Sequence, residues 1–218
     1  MENVFLTVPL YQNKGPYCTE YSLKGMLEYF SITLSTKKII RGINRKGDKL
    51  ISPIEIIPFL HQEKIGFYYP YKEKELIETL NSDLENKMRE FYGYRRGGKM
   101  FQKISSENLL RCMGYVLEQK LGTNKKIDVE YLECALEQEN IPLLLINFNL
   151  LNKERNELKG HYIYLVGYDS THFIYHDTGP ISLTKEGKIR KENLEELQKL
   201  TWFDYSTIII KGNKQESH

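Results

Sequence analysis

Residues 4–30 read VFLTVPLYQNKGPYCTEYSLKGMLEYF, and the reading of this stretch decides the fold. Residues 4–10 are β-branched and apolar and end near Pro9, which suits a short edge strand. Gln12-Asn13-Lys14-Gly15-Pro16 makes a loop that stops at Cys18. From Cys18 onward Leu23, Met26, Leu27 and Phe30 recur at helical spacing, with Pro16 and Tyr17 just upstream and Glu20 in the first turn. The cysteine therefore stands at or beside a helix N-terminus.

Working outward, Ser35 or Thr36 opens a short helix over 35–44, and Ser52-Pro53-Ile54-Glu55 opens another that runs to about Lys64 and is disturbed at Pro58. Segments 72–91, 105–120 and 128–139 are also helical, separated by the Gly-rich YGYRRGGK at 92–99 and by Gly122-Thr123-Asn124. The character changes at Ile141. IPLLLINF is a buried strand, Asn147 to Lys159 is a polar loop, and HYIYLVGY and HFIYHD pair around Asp169-Ser170-Thr171. Ile181-Ser182-Leu183 and Ser206 to Lys211 add strands, with a short helix near 191–199. Helices first and antiparallel strands later predict one α+β domain spanning 1–218, its N-terminal helical half packed on a C-terminal antiparallel sheet.

The bulk numbers exclude more than they identify. Lys plus Arg total 31 against 29 Asp plus Glu, a formal net charge of +2, so no global field draws the chain to nucleic acid or an anionic membrane. The three cysteines, Cys18, Cys112 and Cys134, are odd in number and widely spaced, matching neither a disulfide framework nor a zinc site. A reducing cytoplasm is the expected compartment. The start, Met1-Glu2-Asn3, has no basic segment followed by an apolar run, and no window approaches a membrane span. No cofactor, metal, nucleic acid or membrane partner is expected.

The chemistry centres on the thiol. Only a thiolate attacks a carbonyl well, and a helix N-terminus or an adjacent imidazolium lowers the thiol pKa. Gln12 lies six residues upstream across a Gly-Pro loop. From there its amide can fold back to converge with the Cys18 N–H on one oxygen, which is an oxyanion hole. Of the five histidines, His161 follows Gly160 at the start of an apolar strand whose end can present its ring to a cleft. His61 lies on an amphipathic helix, His172 at the hairpin turn and His218 at the end of the chain. His176 neighbours Asp177 in an extended segment, so the two side chains face opposite ways. Asp177 can brace His161 if the hairpin register puts both on one face, as an odd-length turn would allow. Cys112 and Cys134, among Leu, Val and Tyr, read as core fillers.

This ordered set resembles the bacteriocin-leader, or double-glycine, peptidase-like group of the papain clan. The elements carrying the resemblance are Val8-Pro9, Gln12, Cys18, the Ser52-Pro53-Ile54-Glu55 helix, Gly160-His161, Gly167-Tyr168-Asp169 and Asp177. It implies a papain-like fold and a cysteine peptidase acting on a peptide or protein, with Cys18 as nucleophile, His161 as base, Asp177 as orienting carboxylate and Gln12 in the oxyanion hole. Thr19-Glu20-Tyr21 departs from the small residues the family has after its cysteine, and Glu20 would oppose a thiolate it faced. Residues 70–125 have no counterpart in the minimal family domain and read as a helical insertion that forms a lid or substrate wall.

Three other readings share these residues. The same thioester handed to an amine, or formed from a side-chain amide, makes an acyltransferase, transglutaminase or deamidase. A binding module could keep the fold without the chemistry. A metal hydrolase would rest on His172 and His176, whose four-residue spacing suits a helix face rather than a strand. Arg95-Arg96-Gly97-Gly98 contains a double glycine of the kind relatives cleave after, and otherwise reads as a flexible basic loop.

Overall fold

The computed structural model describes residues 3–151, 159–180 and 183–212. After the two-residue strand β1 (Val4–Phe5), helix α1 (Cys18–Tyr29) buries Leu23, Met26 and Leu27. Gly25 lets α1 approach the Pro9 carbonyl, where a Cβ would collide, and Tyr164 donates to that same carbonyl at 2.7 Å. Helix α2 (Thr36–Gly42) is capped by Ser35, whose Oγ accepts from the Lys38 N–H. Helix α3 (Pro53–Gln62) starts at the expected Ser-Pro, with Glu55 reaching back to accept the Ser52 N–H at 2.8 Å. Pro58 stays inside α3, because Ile54, Ile56, Ile57, Phe59 and Leu60 are all buried and packing outweighs one missing backbone bond.

The central helices depart from expectation. Strand β2 (Phe67–Tyr68) is followed by two helices, α4 (Glu73–Leu80) and α5 (Leu84–Tyr92), in place of one over 72–91. Asp83 makes the break by accepting from the Glu85 and Asn86 N–H groups as the cap of α5. The stretch at 92–99, expected to be a flexible separator, enters helix α6 (Tyr94–Lys103). Gly93 turns the chain at φ 82°, and Gly97 lies against the Arg89 backbone, where any side chain would collide. Helices α7 (Ser106–Glu118) and α8 (Val129–Glu137) follow as expected. Buried Asn108 of α7 donates to Glu55 at 2.7 Å, and burial raises the pKa of that carboxyl to about 7.

The sheet runs β2-β7-β3-β4-β5-β6, antiparallel throughout, with β1 pairing the far end of β4. Its strands after β2 are β3 (Ile141–Asn147), β4 (Gly160–Tyr168), β5 (His172–Asp177), β6 (Thr184–Arg190) and β7 (Thr207–Ile210). Phe148, read as the end of a strand, begins the short helix α9 (Phe148–Leu151). Ile181 and Ser182 of the expected strand lie outside the described residues, and the strand found is β6, whose polar TKEGKIR hides the alternation a strand normally shows. A 3-10 turn (Lys191–Asn193) and α10 (Leu194–Leu197) fill the helix expected near 191–199. Helices plus an antiparallel sheet make this an α+β fold, and no helix among the described residues is long and apolar enough to cross a membrane.

His176 is buried in this sheet with neither ring nitrogen hydrogen-bonded, its edge on Tyr164. Burial lowers its pKa to about 4. The unfolded chain takes up a proton near pH 6.5 that the folded protein refuses until about pH 4, so stability falls as pH drops through that interval. His176→Phe is expected to flatten the fall in Tm between pH 7 and pH 5. An equally steep fall in variant and wild type would show that His176 is not its source.

Candidate active site

Three elements deliver the site. Cys18 is the first residue of α1, His161 the second residue of β4 and Asp177 the last of β5. His161 Nε2 and Asp177 Oδ1 are 2.5 Å apart, and that oxygen also accepts the Gly179 N–H at 2.6 Å. The other imidazole nitrogen is left for Cys18, whose thiol is electrostatically coupled to the ring. Phe148 packs edge to face on the ring at 4.9 Å, and His161 and Asp177 are 8% and 2% exposed.

A β-bulge puts the imidazole and carboxylate together. The hairpin begins with Tyr168 opposite Phe173, enclosing Asp169, Ser170, Thr171 and His172, an even number where the sequence suggested an odd one. Continued unchanged, that register would place Asp177 opposite Tyr164, on the face away from His161. The register instead shifts between Leu165 and Gly167, so that Tyr164 stands opposite His176. Asp177 then falls on the face shared by Ile163 and His161. One extra residue at Val166 supplies the change of face.

Burial opposes charge on the thiol and on the ring, but their mutual contact prevails. Burial pushes the Cys18 thiol up, while the hydrogen bond from His161, its charge and the Tyr162 N–H bring it below its usual value. Burial likewise pulls His161 down, and its bonds to Asp177 and Cys18 lift it to about 9. The pair therefore favours imidazolium and thiolate. Cys112 contrasts with this, burial driving its thiol up to about 12.

Glu20, two residues beyond the cysteine, is fully buried. Its carboxylate lies 3.0 Å from Arg45 Nη1, and Arg45 also donates to the Pro16 and Gly47 carbonyls. Through Arg45 the ion pair ties α1 to the loop preceding Cys18, and the Glu20 charge raises the thiol pKa less than His161 lowers it. Thr178, next to Asp177, bridges the same junction by donating to the Cys18 carbonyl at 3.4 Å and accepting the Asn13 N–H at 2.8 Å.

Gln12 is exposed and does not line the cleft. Its neighbour Asn13 does, at 1% exposure. Backbone pairing with Thr178 and an Asx turn, in which Asn13 Oδ1 accepts the Gly15 N–H at 2.9 Å, turn the Asn13 side chain inward, and successive residues in extended chain face opposite ways. Asn13 Nδ2 is buried without an acceptor. Spacing from Cys18 points to Gln12, which lies on the exposed side of the loop. The signal that was available is the Asn-x-Gly pattern of Asn13-Lys14-Gly15, which favours an Asx turn.

The cleft, about 240 Å³, is lined by Asn13, Cys18, His161 and Asp177 together with Met88 and Tyr92 of α5, Met100 of α6 and Leu109 of α7. The other histidines lie apart: His61 contacts Tyr115, His172 contacts Thr171 in the hairpin turn, and His218 is outside the described residues. Among the described residues no cluster of three or more His, Cys, Asp or Glu side chains is arranged to hold a metal. Cys112 is buried, but Cys134 is exposed, since α8 turns Leu132, Ala135 and Leu136 inward. Gly97 and Gly98 are inside α6, not in an extended loop.

No protein-family model and no curated protein matches the chain. Six solved chains do, among them a "putative C39-like peptidase" from Bacillus anthracis. It shares 16% identity over 97% of this chain and 98% of that one, with a TM-score of 0.49. At that distance the chemistry has to be read from the site itself.

Proposed function

We propose that the protein is a papain-like cysteine hydrolase that cleaves a peptide or isopeptide bond in a peptide or protein substrate. The observation that carries this reading is the buried Asp177–His161 hydrogen bond in the same cleft as a cysteine at a helix N-terminus. Cys18 Sγ attacks the carbonyl carbon, and the charge on oxygen is held by the Cys18 N–H and by the Asn13 amide, which takes the role the sequence suggested for Gln12. The protonated His161 gives its proton to the departing nitrogen, the C–N bond breaks, and a thioester remains. Neutral His161 then takes a proton from water, whose oxygen attacks the thioester; the C–S bond breaks, the carboxylic acid leaves, and the Cys18 thiolate is restored beside protonated His161. Asp177 holds the ring and stabilises its charged form throughout. The helices at 73–118, the core of the region that reads as an insertion, serve as the far wall of the substrate site.

The test is alkylation by iodoacetamide at pH 6, followed by peptide mapping. Cys18 is expected to label ahead of both buried Cys112 and exposed Cys134, and His161→Ala is expected to remove the preference. Labelling led by Cys134 with Cys18 inert would mean that exposure governs reactivity and that the fold serves as a binding module.

A further inference from the structure

The bond-breaking step does not itself require a large apolar wall, yet the cleft that holds Cys18 has one. Met88, Tyr92, Met100, Leu109, Trp202 and Phe203 all line the cleft that holds Cys18. The wall is built in advance: Tyr92 donates to the Leu200 carbonyl, Trp202 donates to Thr79 at 2.9 Å, and the Trp202 ring packs on Phe91 and Phe203. Tyr92 and Trp202 thus spend their polar atoms on protein partners and offer the cleft their rings. Its volume of about 240 Å³ exceeds the roughly 150 Å³ at which an apolar cavity admits benzene. Among the described residues lining the cleft the one guanidinium, Arg45, is already held by Glu20 and two carbonyls, while Asp48 and Lys159 are exposed.

Building on the hydrolase reading, we infer that the substrate carries a bulky apolar group on its acyl side, and that this wall binds it beside the scissile carbonyl. The acyl half remains attached to Cys18 through both chemical steps while the amine leaves and water enters. A preformed apolar pocket therefore suits the half that stays, where one contact stabilises both transition states. Cleavage after a pair of glycines would leave the pocket empty.

The experiment measures kcat/KM on p-nitrophenyl esters from acetyl to octanoyl, and on N-acetyl aminoacyl coumarin amides of Gly, Leu and Phe. Burying each added methylene is expected to raise kcat/KM about fourfold until the pocket is full. Met100→Trp should lower the octanoyl-to-acetyl ratio and move the optimum to shorter chains, and Met100→Ala should move it to longer ones. A gain on the Leu and Phe amides assigns the group to a peptide side chain, and a gain confined to the esters assigns it to a straight acyl chain. Turnover of all esters at one rate, with neither variant moving the profile, overturns the inference and leaves the hydrolase reading standing. Failure of every ester, acetyl included, to acylate Cys18 would remove both.

Discussion

Replacing His161 with alanine is expected to depress both ester acylation and iodoacetamide alkylation of Cys18, and to bring hydrolysis of amides down by about 10²–10⁴-fold from the lost proton transfer, with a further loss from the thiolate. The two readouts fall together because one ring performs two tasks: as an imidazolium beside the sulfur it lowers the thiol pKa, and as an acid it protonates the leaving nitrogen. The same ring predicts the pH profile. Amide turnover should decline as pH rises through about 9, where His161 gives up the proton that the leaving group needs. Asp177→Ala should move that limb to lower pH, because the bond to Asp177 helps hold the proton on the ring. Stopped-flow acylation and a kcat/KM profile from pH 5 to 10 measure these effects. An alkylation rate unchanged in His161→Ala would separate the imidazole from the thiol and end the hydrolase proposal.

Asn13→Ala is expected to lower ester acylation by about 10²–10³-fold while leaving alkylation by iodoacetamide near the wild-type rate. The distinction is chemical. Attack on an ester puts negative charge on oxygen and calls on the oxyanion donors, whereas displacement of iodide creates no oxyanion. A merely structural fault at the Asn13 turn would disturb Cys18 in both assays. Gln12→Ala is the paired measurement and should change neither rate by more than a few fold, because that side chain is exposed and outside the cleft. Reversal of the pair, with Gln12→Ala the damaging change, would return the second donor to Gln12 and require its side chain to swing inward when substrate binds.

Much of the architecture was legible because local rules and tertiary packing agreed. The apolar spacing of Leu23, Met26 and Leu27, the Ser52-Pro53 start and the runs at 141–147 and 160–168 each carry their own periodicity or cap. Where local signals are weak, tertiary contacts decide the structure. Gly97 looked like a breaker, but it is the residue that allows α6 to lie against Arg89, and the polar face of β6 carries no alternation to detect. Cys134, five residues into an amphipathic helix, could be placed inward or outward only by knowing what α8 packs against.

By itself the sequence determined the order of helices and strands, the cysteine at a helix start, and which histidine and aspartate stand at strand ends. Those are properties of nearest neighbours along the chain. Only the tertiary structure decided that His161 and Asp177 share a face and that Asn13, not Gln12, turns into the cleft. It also decided that Glu20 finds Arg45 rather than the sulfur. Each of these depends on a partner that the local pattern does not name: an extra residue at Val166 flips a strand face, a backbone bond to Thr178 orients a loop, and an arginine 25 residues away neutralises a buried carboxylate.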